Sequence, residues 1–378
     1  MKFGVYAEMQ TPPGKSHYDM TWEIFRQIEH ADQAGFDVYS IVDHHFFPKF
    51  SISANPLAMF AAAAQRTQRI RFRVALFTLP LENPMRLAGS IAEADILTNG
   101  RLECGLGRGH AWLCGPSCLP LEESRPRYDE AIEILERAWT QEKFSYDGKF
   151  YQVKDLSVVP RPLQKPYPPL YTGGTSDITY RMAGERGWGI FVPPLLPYKV
   201  LEAPIKIYKD ACAKSGHTPK IVYIRPVYLD ADEKQIRKEV ETELRNFLAF
   251  NASPLESLQD EAKKAELRAK GYGFYASGAM ESLCKLTYDE LVEQEIGFIG
   301  TPQKVIRQIE NLHRTEPAIS ELAIVSNFGG LDHWKSIKTQ ELFAKEVMPA
   351  FRNTRASADP GPALKAPRAT AAERTHSD

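Results

Sequence analysis

Asp43-His44-His45 is the tripeptide in this chain whose residue types point most directly to chemistry. It follows residues 38–42, a short apolar run of the kind expected of a strand covered on both faces. In parallel α/β folds, reactive groups gather where strands end. An imidazole placed there can take or give a proton near neutral pH. Adjacent residues on an extended segment point opposite ways, so one histidine can face a cavity while the other packs as hydrogen-bonded scaffold. No HxH, HExxH or EF-hand pattern accompanies the pair, and no metal site is expected.

Two glycine-bearing turns are the next features. Gly105-Leu106-Gly107-Arg108-Gly109 could let backbone approach a ligand, with Arg108 forking onto a phosphate or carboxylate. Gly173-Gly174-Thr175-Ser176 precedes a helix and offers backbone N–H groups, hydroxyls and a positive helix end. Either cluster could instead be a tight turn between strand and helix. Taken with Arg108 and Arg125, the two favour an anionic cofactor group. Aromatic residues collect at strand ends as well: Tyr6, Phe46, Phe47, Phe77, Trp112, Trp188 and Phe191. Some of these belong to ordinary packing, and the rest could enclose a planar ring.

The elements that would position these groups alternate along the chain. Strands are expected at 3–7, 38–42, 70–79, 102–106, 170–172, 189–192, 221–229 and 319–325. Between them lie helices at 19–34, 56–67, 84–97, 126–139, 176–186, 198–215 and 301–313, and another at 334–348 closes the set. The first carries apolar residues Trp22, Phe25, Ile28, Ala31 and Ala34, takes Asp19 or Thr21 as its cap, and stops at Gly35. Asn55-Pro56 and Thr301-Pro302 are cap-then-proline starts, and Asn99-Gly100 is a stop. Eight such repeats predict a single (β/α)8 TIM barrel over residues 1–352. Residues 232–295 read as a charged, lid-like insertion after the seventh strand, and 353–378 as a disordered tail.

The net charge of −1 shows no nucleic-acid footprint, and no apolar run is long enough to span a membrane. The five cysteines form no CxxC pair, which suits reduced thiols in a cytoplasmic protein.

The ordered set Met1-Lys2-Phe3-Gly4, Gly35-Phe36-Asp37, Asp43-His44-His45-Phe46, Asn55-Pro56, Gly100-Arg101-Leu102, Gly105 to Gly109, Ser124-Arg125 and Gly300-Thr301-Pro302 resembles the bacterial luciferase-like, flavin-dependent monooxygenases, close to the luciferase α-subunit branch. The resemblance implies a dimeric (β/α)8 barrel using reduced FMN delivered by a separate NAD(P)H:flavin reductase. In that family O2 adds to the flavin, and the resulting peroxyflavin oxygenates a small organic substrate. The resemblance makes His44 the catalytic histidine and Arg108, Arg125, Ser176 and Thr179 the flavin-phosphate contacts. It places a non-prolyl cis peptide at Ala75-Leu76 beside the flavin ring. With it, the turn residues Gly174 and Thr175 join the cofactor site, and Phe46, Phe77, Trp112 and Phe191 the substrate pocket. Asp43, Gly107 and Thr175 depart from the luciferase residues, so flavin binding is implied more than light emission. The expected function is therefore a two-component monooxygenase acting on an aldehyde, ketone or related apolar compound, as a homodimer. Its rivals are a deazaflavin (coenzyme F420) oxidoreductase and a flavin-binding protein without turnover.

Overall fold

The computed structural model describes residues 1–174 and 176–352, so the expected tail 353–378 and Thr175 lie outside the described residues. Eight parallel strands form the barrel: β1 (Lys2–Ala7), β2 (Val38–Ile41), β3 (Arg71–Thr78), β4 (Leu102–Gly107), β5 (Leu170–Gly173), β6 (Gly189–Val192), β7 (Ile221–Leu229) and β8 (Ile319–Val325). Neighbours in this order pair, and β8 pairs with β1 through Lys2↔Glu321 and Val5↔Ile324 to close the ring. Around it lie α1 (His17–Ala34), α2 (Pro56–Ala64), α3 (Pro84–Leu97), α4 (Ser124–Thr140), α5 (Asp177–Arg186), α6 (Tyr198–Ser215), α7 (Pro302–Thr315) and α8 (His333–Leu342). The predicted (β/α)8 barrel is the observed fold.

Local chemistry sets the helix ends. Asn55 and Asn83 each accept a backbone N–H, from Ala58 and Arg86, ahead of a proline in the first turn. Gly35 closes α1 at φ 91, a left-handed conformation that glycine adopts without a Cβ clash. The cap of α1 is Ser16 and not Asp19 or Thr21: its hydroxyl accepts the Asp19 N–H at 3.0 Å. An antiparallel hairpin, Phe144–Asp147 with Gln152–Leu156, fills the long connection from α4 to β5. A short strand, Phe298–Gly300, pairs with the end of β7. Neither is expected from the sequence: the hairpin strands are short with mixed polarity, and Phe298–Gly300 is only three residues long.

The stretch between β7 and Phe298–Gly300 holds helices at Glu233–Ala252, Glu261–Ala269, Ala279–Leu283 and Tyr288–Glu293. Its apolar side chains, among them Val240, Leu244, Phe247 and Leu255, share one buried cluster with Tyr6, Ala75, Trp112 and Phe191. The barrel strands and outer helices form a separate cluster. A second apolar core thus lies at the C-terminal ends of the strands, under the helices that follow β7.

Within the barrel, Arg73 on β3 is fully buried. It donates to both carboxylate oxygens of Glu321 on β8, at 2.7 and 2.8 Å, and to Glu103 on β4 at 2.7 Å. Gly4 on β1 leaves the room, since a Cβ there would stand 2.8 Å from Glu321 Oε1. Burial alone would raise the Glu103 carboxyl, but Arg73 and Arg71 outweigh it and hold it at about 2. Its folded value therefore lies below the ordinary 4.5, so the stabilisation is complete above that pH and fades as pH falls towards 2. Arg73→Ala is expected to lower stability by about 3–5 kcal/mol at neutral pH, because buried carboxylates lose their partner. Denaturant titrations should show the gap from wild type narrowing below pH 4.5. A constant gap down to acid pH would mean that the ion cluster is not its source.

Candidate active site

A cavity opens at the C-terminal ends of the strands, with about 250 Å³ of room for the centres of water molecules. One water needs only about 10–15 Å³ on that measure, so the space suits an organic ligand. His44, Ala75, Leu76, Phe77, Arg108, Trp112, Arg125, Gly174, Ser176, Thr179 and Phe191 all line it. Residues far apart in sequence therefore meet in one place.

His44 stands just past β2, with its backbone N–H fixed to Ser53 O at 2.9 Å. Its ring is buried, and Nε2 lies 2.9 Å from the indole Nε1 of Trp112. Indole N–H can only donate, so Nε2 must accept and Nδ1 must carry the proton. Nδ1 has no partner among the described residues. Burial, then His110 and His45, push the His44 imidazole down to about 2, so it stays neutral at physiological pH. The result is a neutral N–H donor with no acceptor, in a wall formed by Phe50 at 4.3 Å between ring centres and by His110 at 5.9 Å. His110 stacks on Trp112 at 4.2 Å and 6°, and its Nδ1 meets the Tyr275 hydroxyl at 2.8 Å.

His45 faces the other way. It pairs with Asp43 at 3.4 Å, a contact that raises its pKa. Asp43, His45 and Glu82 bring one ligand-type atom each within 4.8 Å of one another. Asp43 also accepts the Thr78 N–H at 3.4 Å, which ties the end of β2 to the end of β3.

The opposite end of the cavity is cationic. Arg125 reaches Thr179 Oγ1 at 3.4 Å, and Ser176 Oγ lies 2.9 Å from the same oxygen at the start of α5. Arg108 donates to Gly271 O at 2.7 Å and stacks 3.6 Å over the Tyr272 ring. Burial and then the charge of Arg125, partly offset by Tyr272, lower the Arg108 pKa. Two guanidiniums that disfavour each other beside hydroxyls and a helix N-terminus suit an anion.

The Ala75-Leu76 peptide is cis. Leu76 explains the glycines of β4: a Cβ on Gly105 or Gly107 would lie 2.4 or 2.9 Å from its side chain. These glycines make room for β3, not only for a ligand. Phe46 is a correction. It is 58% exposed at φ 71, a left-handed turn that swings its ring out of the pocket, and Phe50 takes the place beside His44. Trp188 packs in the barrel–helix core. Glu8, His110, Asn251, Tyr272 and Tyr275 also line the cavity. None of these is among the site residues expected from the sequence, because no local motif marks them.

Residues 1–317 match the luciferase-like monooxygenase family. The chain belongs to that family. The oxygenase component of the flavin-dependent trigonelline monooxygenase of Acinetobacter baylyi is 26% identical over 66% of this chain and 71% of its own length. Monooxygenase RslO1 from Streptomyces bottropensis superposes with a TM-score of 0.77 at 25% identity, covering 93% of this chain and all of that one. The oxygenating constituent of 3,6-diketocamphane monooxygenase from Pseudomonas putida, a type II Baeyer–Villiger enzyme in complex with FMN, has a TM-score of 0.74 at 21% identity, covering 92% and 98%. F420-dependent proteins match as well. The family is one of enzymes, and this member contains no helix among the described residues long and apolar enough to cross a membrane.

In ¹⁵N-labelled protein, His44 Nδ1 is expected to give a protonated-nitrogen shift and Nε2 an unprotonated one, unchanged from pH 5 to 9. Trp112→Phe removes the donor to Nε2 and should mix the tautomers. A wild-type His44 that titrates in this range would refute the neutral assignment.

Proposed function

We propose that this protein is the oxygenase component of a two-component flavin monooxygenase. It takes reduced FMN from a separate NAD(P)H:flavin reductase and uses O2 to oxygenate a small apolar aldehyde, ketone or related compound. One observation carries the reading: a two-arginine anion seat and an unpartnered His44 N–H share one apolar, aromatic cavity. The homodimer that the resemblance implies and the cytoplasmic setting that the cysteine pattern suits belong to the same proposal.

The residues present fit a flavin mononucleotide. Arg125, Ser176, Thr179 and the first turn of α5 would hold the phosphate. Arg108 would join them, since its contacts to Lys270 O and Gly271 O occupy two of its five N–H donors. Reduced flavin, when bound, supplies the electrons that activate O2. The chain supplies the rest. The Ala75-Leu76 edge of β3 and the side chains of Phe77 and Phe191 would flank the ring. His44, neutral and fixed by Trp112, would donate Nδ1–H to developing negative charge on oxygen. Phe50, Trp112 and the residues after β7 keep water from that donor.

Arg108→Ala and Arg125→Ala are each expected to weaken FMN binding about ten- to a hundredfold, the range of a charge-assisted phosphate contact. Riboflavin, which lacks the phosphate, should bind each variant as it binds wild type. Equal losses for both flavins in a titration would remove the arginines from the phosphate seat, and tighter binding of F420 than of FMN would favour the deazaflavin reading.

His44→Ala should retain FMN affinity and lower product formation by about 10²–10⁴-fold, the scale of a positioned acid or base. Oxygen should still be consumed and appear as hydrogen peroxide. If a single-turnover measurement shows product coupled to oxygen as in wild type, the donor lies elsewhere, His110 being the next to test.

A further inference from the structure

Glu8 is a buried carboxyl in the wall of this cavity to which the proposed oxygenation assigns no part. It follows the end of β1 and is held from two sides. Gln10 Nε2 and Asn251 Nδ2 both donate to Oε2, at 2.9 Å each. The amide orientations are fixed independently. Gln10 Oε1 accepts the Gly329 N–H at 2.9 Å, and Asn251 Nδ2 also donates to Phe247 O at 3.0 Å. Oε1 of Glu8 has no partner among the described residues.

Among the described residues no cation pairs with this group. A titratable neighbour is Tyr6, two residues earlier on β1. The side chains packed against it from the helix Glu233–Ala252 and from the segment after β1 are the neutral amides Asn251 and Gln10. Arg108, Arg125 and Asp43 line the same cavity. Burial raises the Glu8 carboxyl to about 8 against the smaller opposing pull of the two amides. At neutral pH it is therefore mostly the acid, and with Oε2 already accepting two N–H donors, the proton belongs on Oε1.

We propose that Glu8 orients the substrate by donating Oε1–H to an acceptor oxygen, the carbonyl of an aldehyde or ketone bound in this cavity. The inference rests on the oxygenation reading for its substrate class. A neutral donor on Oε1 favours a neutral molecule with an acceptor oxygen at that wall over a hydrocarbon of the same shape. Ionisation turns the donor into an acceptor, so the preference must vanish as pH rises through about 8.

The test compares cyclohexanone with methylenecyclohexane, its isostere without the oxygen, by calorimetry on the full chain without flavin. Wild type should bind the ketone about three- to tenfold more tightly at pH 6.5, the range of one hydrogen bond, and show no preference at pH 9.5. His44 and His110, at about 2 and about 4, stay neutral over this interval. Glu8→Gln places an amide N–H where the acid proton was, with its carbonyl facing Gln10 and Asn251. It should keep the preference at both pH values. Glu8→Ala should abolish it at both, with folding checked by circular dichroism. A preference that survives in Glu8→Ala, that ignores pH in wild type, or that Glu8→Gln loses overturns the proposal. So does absence of ketone binding at pH 6.5, or tighter binding of cyclohexylammonium, which would make Glu8 an ionised anchor. A separate FMN titration keeps the two readings apart: failure of FMN to bind with the ketone pattern intact defeats the flavin reading alone, and FMN binding without the ketone pattern defeats the Glu8 assignment alone.

Discussion

The buried Arg73 cluster is the constraint from which the rest of the architecture follows. Three charges inside a barrel are costly to desolvate and are tolerated only when every polar atom is matched. Arg73 meets that condition by bridging Glu103 on β4 and Glu321 on β8, so strands 3, 4 and 8 are held in one register, with Gly4 of β1 yielding the space. The guanidinium also lies 4.2 Å from the Tyr171 ring centre and 5.6 Å from that of Phe191. Phe191 lines the cavity, so the ion cluster forms the floor on which its aromatic wall stands.

Above that floor the cavity is divided by polarity. One end has two arginines, two hydroxyls and a helix N-terminus. The other has aromatic rings around a neutral histidine, and a protonated glutamic acid lies in the same enclosure. A low-dielectric surrounding strengthens each polar contact made there and penalises each one left unmade. The same burial that keeps His44 and Glu8 uncharged therefore leaves each with a donor that a ligand can satisfy.

The residues after β7 make this enclosure possible. Tyr275 fixes His110, Asn251 fixes Glu8, and the backbone at Gly271 receives Arg108. Tyr272 in turn meets Ser124 at 3.2 Å, beside Arg125. Arg225 on β7 donates to Pro194 O, Leu196 O and Glu295 O, which joins a cavity-lining loop to the end of the segment that covers it. Shape and protonation are set by the same contacts.

The barrel was legible in the sequence because its cues are local. Asn-Pro starts, Gly stops and short apolar runs each act within a few residues, and eight repeats of them leave few other folds. The opposite orientation of His44 and His45 was legible too, from alternation along an extended segment, although the assignment of the buried place to His44 needed the family likeness. Other features depended on contacts that no window contains. Phe46 leaves the pocket because of one left-handed residue. Glu8 is an unremarkable acid until Asn251, 243 positions away, shares its burial. Composition and periodicity fixed which elements form, since propensity and patterning are properties of neighbours in sequence. Only the folded chain decided which groups lose their water and which partners replace it, and those two facts keep His44 and Glu8 uncharged.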